Sequence, residues 1–357
     1  PWLCSPVYCA RFSRHNLCEK GTLVTDTQFD VLAIGNAIVD ILVYADDRFL
    51  NAHGLTKGTM GLVDWDASRA LYDKVSPTLE RSGGSAANTI AGVASLGGRG
   101  AFIGKVCDDK LGRVFSHDMR AIGVYFETAP TIEGAATATS IVLVTPDAER
   151  TMQTYLGACV ELSPDDVSAE EISAAQVTYL EGYLWDPPAA KQAFIKAAEL
   201  AHNAGREISL SLSDPFCVDR HRADFAELVD RYVDILFANE EEIMSLYHVE
   251  SFDEALAAVR GRCKIAALTR NAEGCVIVSG NELCTVVAET VDEVVDTTGA
   301  GDAFAAGFLA GYTRGCDLPT SARMANIAAG EAISHLGARP EACLADMVVE
   351  RMGRNLR

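Results

Sequence analysis

Positive charge is scarce in this chain: 30 Lys and Arg stand against 50 Asp and Glu, a formal net charge of −20 at pH 7 over 357 residues. A nucleic-acid partner is excluded on that ground, because phosphate backbones are bound by clustered Lys and Arg. An anionic nucleotide would have to be captured by local amides, a few basic residues and a metal ion, not by the global field. Long apolar runs are missing too. None approaches the roughly 18 to 20 residues that span a bilayer, so no membrane partner is expected. Internal repeats and low-complexity tracts are absent. The eleven cysteines include no Cys-x-x-Cys pair and are scattered through apolar segments. That usage favours buried reduced thiols in a cytoplasmic protein over a disulfide framework or a zinc site.

What is present is enough for one large α/β domain or two modest ones, with ordinary apolar content of 49%. Residues 1–24 look foreign to the rest: basic, without an initiating Met and without periodicity. They are read as a tag or an over-extended reading frame, disordered and irrelevant to function, ahead of a start near Val24 or Thr25. Residues 25–357 form the domain. Residues 29–35 (FDVLAIG) read as a buried strand, and 38–44, 58–63 and 139–145 as further strands with little helix between the first two. From 176 onward strands alternate with helices of 10 to 15 residues, which implies βαβ units and a mostly parallel sheet. Residues 275–278 and 283–287 read as an appended antiparallel hairpin, and the last third as helices over 303–313, 318–335 and 341–352. The early strands suggest a small β-sheet lid, with segments near 38–65 and 124–156, folded over one end of the body. Such a lid would exclude water from a reacting centre.

The stretch Asp296-Thr297-Thr298-Gly299-Ala300-Gly301-Asp302-Ala303-Phe304 carries the strongest chemical signal. A glycine-rich turn there meets the start of an apolar helix, whose first amides lack partners and carry the positive end of the dipole. Such a turn binds phosphate. Asp302 would repel the anion unless it takes a proton from a hydroxyl while the turn holds the phosphoryl group in transfer. A dinucleotide fingerprint fails because Phe304 stands where a third small residue is needed. A nucleotide P-loop fails at Gly104-Lys105, where Arg99 replaces the first Gly and Val106 the hydroxyl. The plain alternative is a helix-capping turn with Asp302 as a first-turn acid.

A second constellation is Gly83-Gly84-Ser85-Ala86-Ala87-Asn88, followed by Leu96-Gly97-Gly98 and the run from Ile103 to Gly112. Alone it reads as tight helix packing plus a turn. With both constellations in place the chain resembles the PfkB/ribokinase family of carbohydrate and nucleoside kinases, over roughly residues 30–339. The resemblance implies a ribokinase-like three-layer α/β/α fold with a small β lid, and ATP-dependent phosphorylation of a primary hydroxyl. It implies Asp302 as catalytic base, with Gly299, Ala300 and Gly301 as the anion hole. Asp40, Gly83, Gly84 and Asn88 would line the sugar site, a carboxylate suiting two vicinal hydroxyls. Arg150 would reach substrate or phosphate from the lid, or be ordinary surface charge. Asn239 and Glu242 match an Asn-x-x-Glu motif that organises magnesium and phosphate through water, the alternative being a solvated acidic first turn. Thr269, Arg270 and Gly274 resemble the nucleotide loop, with Asn271 departing from the usual Gly, and Asn326 would lie beside adenine or merely pack a helix. Asp296 and Thr298 would be ligands of a monovalent cation such as K+. The implied cofactors are ATP and Mg2+.

The motif does not say whose hydroxyl is phosphorylated. Residues 57–64 and 149–152 resemble bacterial adenosine kinases of the family, which puts adenosine, converted to AMP, first. Ribokinase- or fructokinase-like sugar kinases come next, and a non-catalytic sugar or nucleotide sensor is the remote alternative. A nucleoside base needs an apolar slot, for which Ile38, Met60, Tyr155 and Leu156 are candidates, lid packing being their other role. The expected partner is a small nucleoside or sugar, and the chain a monomer or homodimer.

Overall fold

The computed structural model describes residues 27–147 and 149–353, so the reading of residues 1–24 falls outside it. Strands run in chain order as β1 (Phe29–Ile34), β2 (Ile38–Tyr44), β3 (Met60–Leu62), β4 (Leu79–Gly83), β5 (Gly100–Ile103), β6 (Ala138–Val144) and β7 (Arg150–Tyr155). They continue as β8 (Ala175–Glu181), β9 (Glu207–Ser211), β10 (Ile235–Asn239), β11 (Ile265–Thr269), β12 (Cys275–Ser279) and β13 (Glu282–Val286). The helices of the first half are α1 (Asp47–Ala52), α2 (Trp65–Tyr72), α3 (Ser85–Ser95), α4 (Lys110–Ala121), α5 (Ala169–Ala174) and α6 (Pro188–Asn203). Those of the second half are α7 (Pro215–Arg231), α8 (Glu240–Tyr247), α9 (Phe252–Val259), α10 (Ala300–Tyr312), α11 (Leu318–Ala332) and α12 (Leu344–Met352). No helix among the described residues is long and apolar enough to cross a membrane.

The body is an eight-stranded sheet, ordered β5-β1-β8-β9-β10-β11-β12-β13. It is parallel from β5 to β11 and antiparallel where β12 pairs with β11 and with β13. The parallel strands are apolar on both faces, as burial between two helix layers demands. In β1, Leu32 and Ile34 join one core with residues of α5 to α9, while Val31 and Ala33 join the other with α3, α4, α10 and α11. This is the expected three-layer α/β/α arrangement. The hairpin closes on a two-residue Gly280-Asn281 turn, because Ser279 still pairs with Glu282. Charged residues mask the apolar period of α7, which starts on an Asp214 cap followed by Pro215 and kinks at His221.

The lid is a five-stranded sheet, ordered β3-β7-β6-β2-β4. Residues 124–137 contribute no strand to it, whereas β4 does, although that strand lies outside the expected segments. Pairing places Asp40 opposite both Arg81 and Ser140, Val142 opposite Met152, and Val144 opposite Arg150. Because side chains alternate between faces, these positions present one face of the lid to the body. The other face, with Val39, Ile41 and Leu143, is buried in the core beneath α1, α2 and α4.

Candidate active site

Between lid and body lies a cavity of about 950 Å³. It opens at the carboxyl ends of β8 to β11, beside the place where strand order reverses around β1, the usual location for ligands in open α/β sheets. Its roof is the alternating lid face: Ile38, Asp40, Leu42, Arg81, Val142, Arg150 and Met152. Its floor is the first turn of α10, Gly299 to Asp302.

Gly299 precedes α10 with φ +81°, and no side chain caps the helix. A Cβ on Gly299 would stand 2.6 Å from Ala338, so the turn tolerates neither the conformation nor the bulk of another residue. The amide of Ala300 donates to Thr297 O at 3.2 Å. Of the sequence-predicted anion-hole donors, Ala300 is therefore engaged, while the following first-turn amides remain to receive an anion. Nothing lies within 4 Å of a Cβ built on Gly301, so that position is open to the cavity.

Asp302 sits in this turn and is held from α3. Ser85 Oγ donates to Oδ1 at 2.6 Å and Asn88 Nδ2 to Oδ2 at 3.2 Å. Burial pushes the carboxyl up to about 6, the two hydrogen bonds pull it down, and Asp40 pushes it up again. A group near this value is ionised at neutral pH yet basic enough to accept a proton. Asn88 in turn accepts from Arg339 Nε at 3.2 Å.

Asp40 faces the same space. Burial raises its carboxyl, against the pull of Arg81, Arg339 and Arg150. Gly83 is required beneath it, since a Cβ there would come within 2.2 Å of Asp40 Oδ2. Gly84 has φ +95°, and a Cβ on it would stand 2.3 Å from Asn36 O. Gly84→Ala should cost roughly 1–3 kcal/mol of strain and push away the loop that leads to Asp40. A fall in the urea unfolding midpoint together with a raised acceptor KM checks this.

The structure brings Asp40, Gly83, Gly84, Asn88, Arg150, Asp296, Thr298 and Asp302 together at the lid end of the cavity. At the other end lie Asn239, Glu242, Thr269, Gly274 and Asn326. Asn239 and Glu242 form a reciprocal capping box: Asn239 Oδ1 accepts from Glu242 N at 2.8 Å, and Glu242 Oε2 accepts from Asn239 N at 3.0 Å. Glu242 is buried, not solvated, and burial pushes its carboxyl up to about 7. Asn326 Nδ2 donates to Val286 O and Val287 O, tying α11 to the end of β13. Arg270 does not join the cavity. It pairs with Glu240 at 3.0 Å and Glu273 at 2.5 Å, and lies over the Phe252 ring, because those acids flank it on the outer side of the loop. Of the base-slot candidates, Ile38 lines the cavity, whereas Tyr155 lies on the opposite face of β7 and packs on Trp65. Met60 pairs with Met152 and so shares the cavity face, but at the edge of the lid, where it is 50% exposed, and Leu156 is not among the cavity walls.

Several residues of this site were not singled out by the sequence reading. Glu181, at the end of β8, accepts from Asn36 Nδ2 at 2.6 Å and from Ala86 N at 2.7 Å. It thus clamps the loop before β2 to the start of α3, and burial pushes it up to about 7. Ser85 was legible as the residue after the glycine pair. Arg81 and Arg339 had no local signal. Burial lowers Arg339 to about 10. The Nε atoms of Arg81 and Arg150 are buried without an acceptor among the described residues.

A family model described as pfkB family carbohydrate kinase matches residues 63–343. The chain is similar to the structure of an adenosine kinase from Sinorhizobium meliloti, with 52% identity, a TM-score of 0.84, and 92% and 100% of the two chains covered. It is equally similar to a probable sugar kinase from Rhizobium etli, with 50% identity, a TM-score of 0.84, and 92% and 99% covered. The adenosine kinase of Saccharomyces cerevisiae is 28% identical over 331 residues, spanning 86% of this chain and 95% of that one.

Proposed function

The chain belongs to the pfkB family of carbohydrate kinases, and from that premise we propose that it phosphorylates the primary hydroxyl of adenosine. Membership makes it an ATP-dependent phosphotransferase with an alcohol acceptor. The observation that carries the acceptor assignment is the lid face: Asp40 stands there among Ile38, Leu42, Val142 and Met152. A carboxylate beside an apolar wall suits a ribose joined to a flat base better than a free sugar, whose hydroxyls would face that wall unpaired. The adenosine kinases among the similar proteins support the same reading.

Asp302 receives the acceptor's proton late, as the hydroxyl oxygen attacks, while Ser85 and Asn88 hold its carboxylate in place. The first-turn amides of α10 face the three oxygens of the phosphoryl group, whose transfer passes through a loose transition state. Asp40 fixes the ribose hydroxyls, and the closed lid keeps water from competing as acceptor. Asn239 and Glu242, buried at the nucleotide end, are the residues that would hold magnesium through water. Magnesium bound there would neutralise the phosphate oxygens. ADP release with Mg-ATP and, separately, adenosine, other nucleosides, ribose and fructose tests the assignment. Turnover with adenosine is expected. Turnover only with a free sugar would overturn the acceptor and keep the chemistry, and silence across the panel with ATP still bound would favour a sensor.

A further inference from the structure

Asp296 opens the catalytic turn, and its carboxylate already accepts three contacts. Oδ1 accepts from Thr298 N at 3.0 Å, and Oδ2 accepts from Gly337 N at 2.9 Å. Oδ2 also pairs with Arg150 Nη1 at 2.7 Å, with the two side chains only 9% and 7% exposed. Arg150 is the first residue of β7 and belongs to the lid, whereas Asp296, Thr298 and Gly337 belong to the body. One buried ion pair therefore joins lid and body across the cavity.

The family resemblance gives Asp296 a different partner, a monovalent cation shared with Thr298. The residues present do not fit that ion. Oδ2 of the carboxylate already faces a guanidinium, and a second positive charge at the same buried carboxylate would be strongly repelled by it. A second arginine adds to the repulsion: a Cβ built on Gly337 would lie 2.4 Å from Arg81 Nη2, so that guanidinium abuts the same backbone that Asp296 holds.

We propose that Arg150 is a built-in cation, a positioning residue that takes the place of a monovalent ion at Asp296. The consequence is a coupling that an ion could not provide. Asp296 orients the Thr298 amide immediately before the anion-binding turn, and it is neutralised only while the lid is closed. Opening the lid strands a buried carboxylate, the costly way to break such a pair. The catalytic turn is thus set by the same contact that closes the site.

The test compares wild type, Arg150→Ala and Arg150→Lys in K+ against N-methylglucamine, reading turnover with Mg-ATP and adenosine and, without substrates, the thermal midpoint. Turnover relies on the kinase reading, whereas the thermal midpoint does not. Wild type and Arg150→Lys should be indifferent to K+ in both readouts. Arg150→Ala should lose turnover, regain at least about fivefold with K+, the low end of a coupling between sites, and gain thermal stability from it. Should Arg150→Ala not fold, Arg150→Met fills the volume without the charge and carries the same expectation. K+ acting equally on wild type and the uncharged variant, or on neither, would overturn the proposal. Absent turnover in every protein would count against the kinase reading alone, and the thermal midpoint would still decide the cation question.

Discussion

Asp302→Asn is expected to fold and to bind both substrates, but to lose at least about 10²-fold in kcat, the low end for removal of a general base. The amide keeps the shape of the carboxylate and can still accept from Ser85, but its NH2 then meets the Asn88 NH2 donor, so an intact thermal transition and intact substrate binding are what tie the loss to proton transfer. Near-wild-type turnover would remove Asp302 from the mechanism. Two pH experiments sharpen the case. Activity needs the ionised carboxylate, and burial has raised it to about 6, so kcat/KM of the wild type should fall as pH drops through 6. The stability argument has the opposite sign. The folded protein holds this proton more tightly than the unfolded chain, so at neutral pH the buried charge opposes folding, by an amount on the order of 3 kcal/mol. That cost disappears as pH falls through 6 toward the ordinary carboxylate value of 3.8. Asp302→Asn should therefore melt higher than wild type at pH 7, and the difference should shrink in acid. A catalytic group that destabilises its own fold is the expected signature of a site built for chemistry.

What could be read in the sequence follows from how local each requirement is. The α10 turn must put two glycines, an uncapped helix start and a carboxylate in consecutive positions, so residues 299–302 announce themselves. The βαβ body is legible for the same reason, each strand and helix carrying its own period. β4 is not, because Leu-Glu-Arg-Ser-Gly has no alternation and becomes a strand only by pairing with β2. Met60 and Tyr155 show the limit of residue type. Both look right for a base slot, yet parity turns Tyr155 to the far face, while Met60 shares the face of Met152 at the exposed edge of the lid, and only the paired sheet defines either position. Glu181 and Arg339 lie further still from any local pattern. Their roles are to join segments distant in sequence, and nothing beside them announces the partner. Asn239 and Glu242 illustrate a different ambiguity: one pair of letters suits either the start of a helix or a magnesium and phosphate motif, and here the capping box is what is seen directly.

Asp40→Ala is expected to have the other large effect, a loss of at least about 10² in kcat/KM, the scale of removing one partner from a buried charged contact. The effect has two sources. The acceptor loses the group that fixes its vicinal hydroxyls, and Arg81, Arg339 and Arg150 lose a carboxylate that offsets their charge. Asp40→Asn separates them, since it keeps the volume above Gly83 and some hydrogen bonding while removing the charge. Comparing adenosine with its 2′-deoxy and 3′-deoxy analogues completes a double-mutant cycle. If Asp40 holds those hydroxyls, the wild type should reject the deoxy analogues strongly and Asp40→Asn should reject them much less, because each change removes the same contact. Additive losses would place the hydroxyls elsewhere and leave Asp40 as a balance for the arginines. Glu181 would then be the next carboxylate to test: it already holds Asn36 and Ala86, and it lies within the field of Asp302.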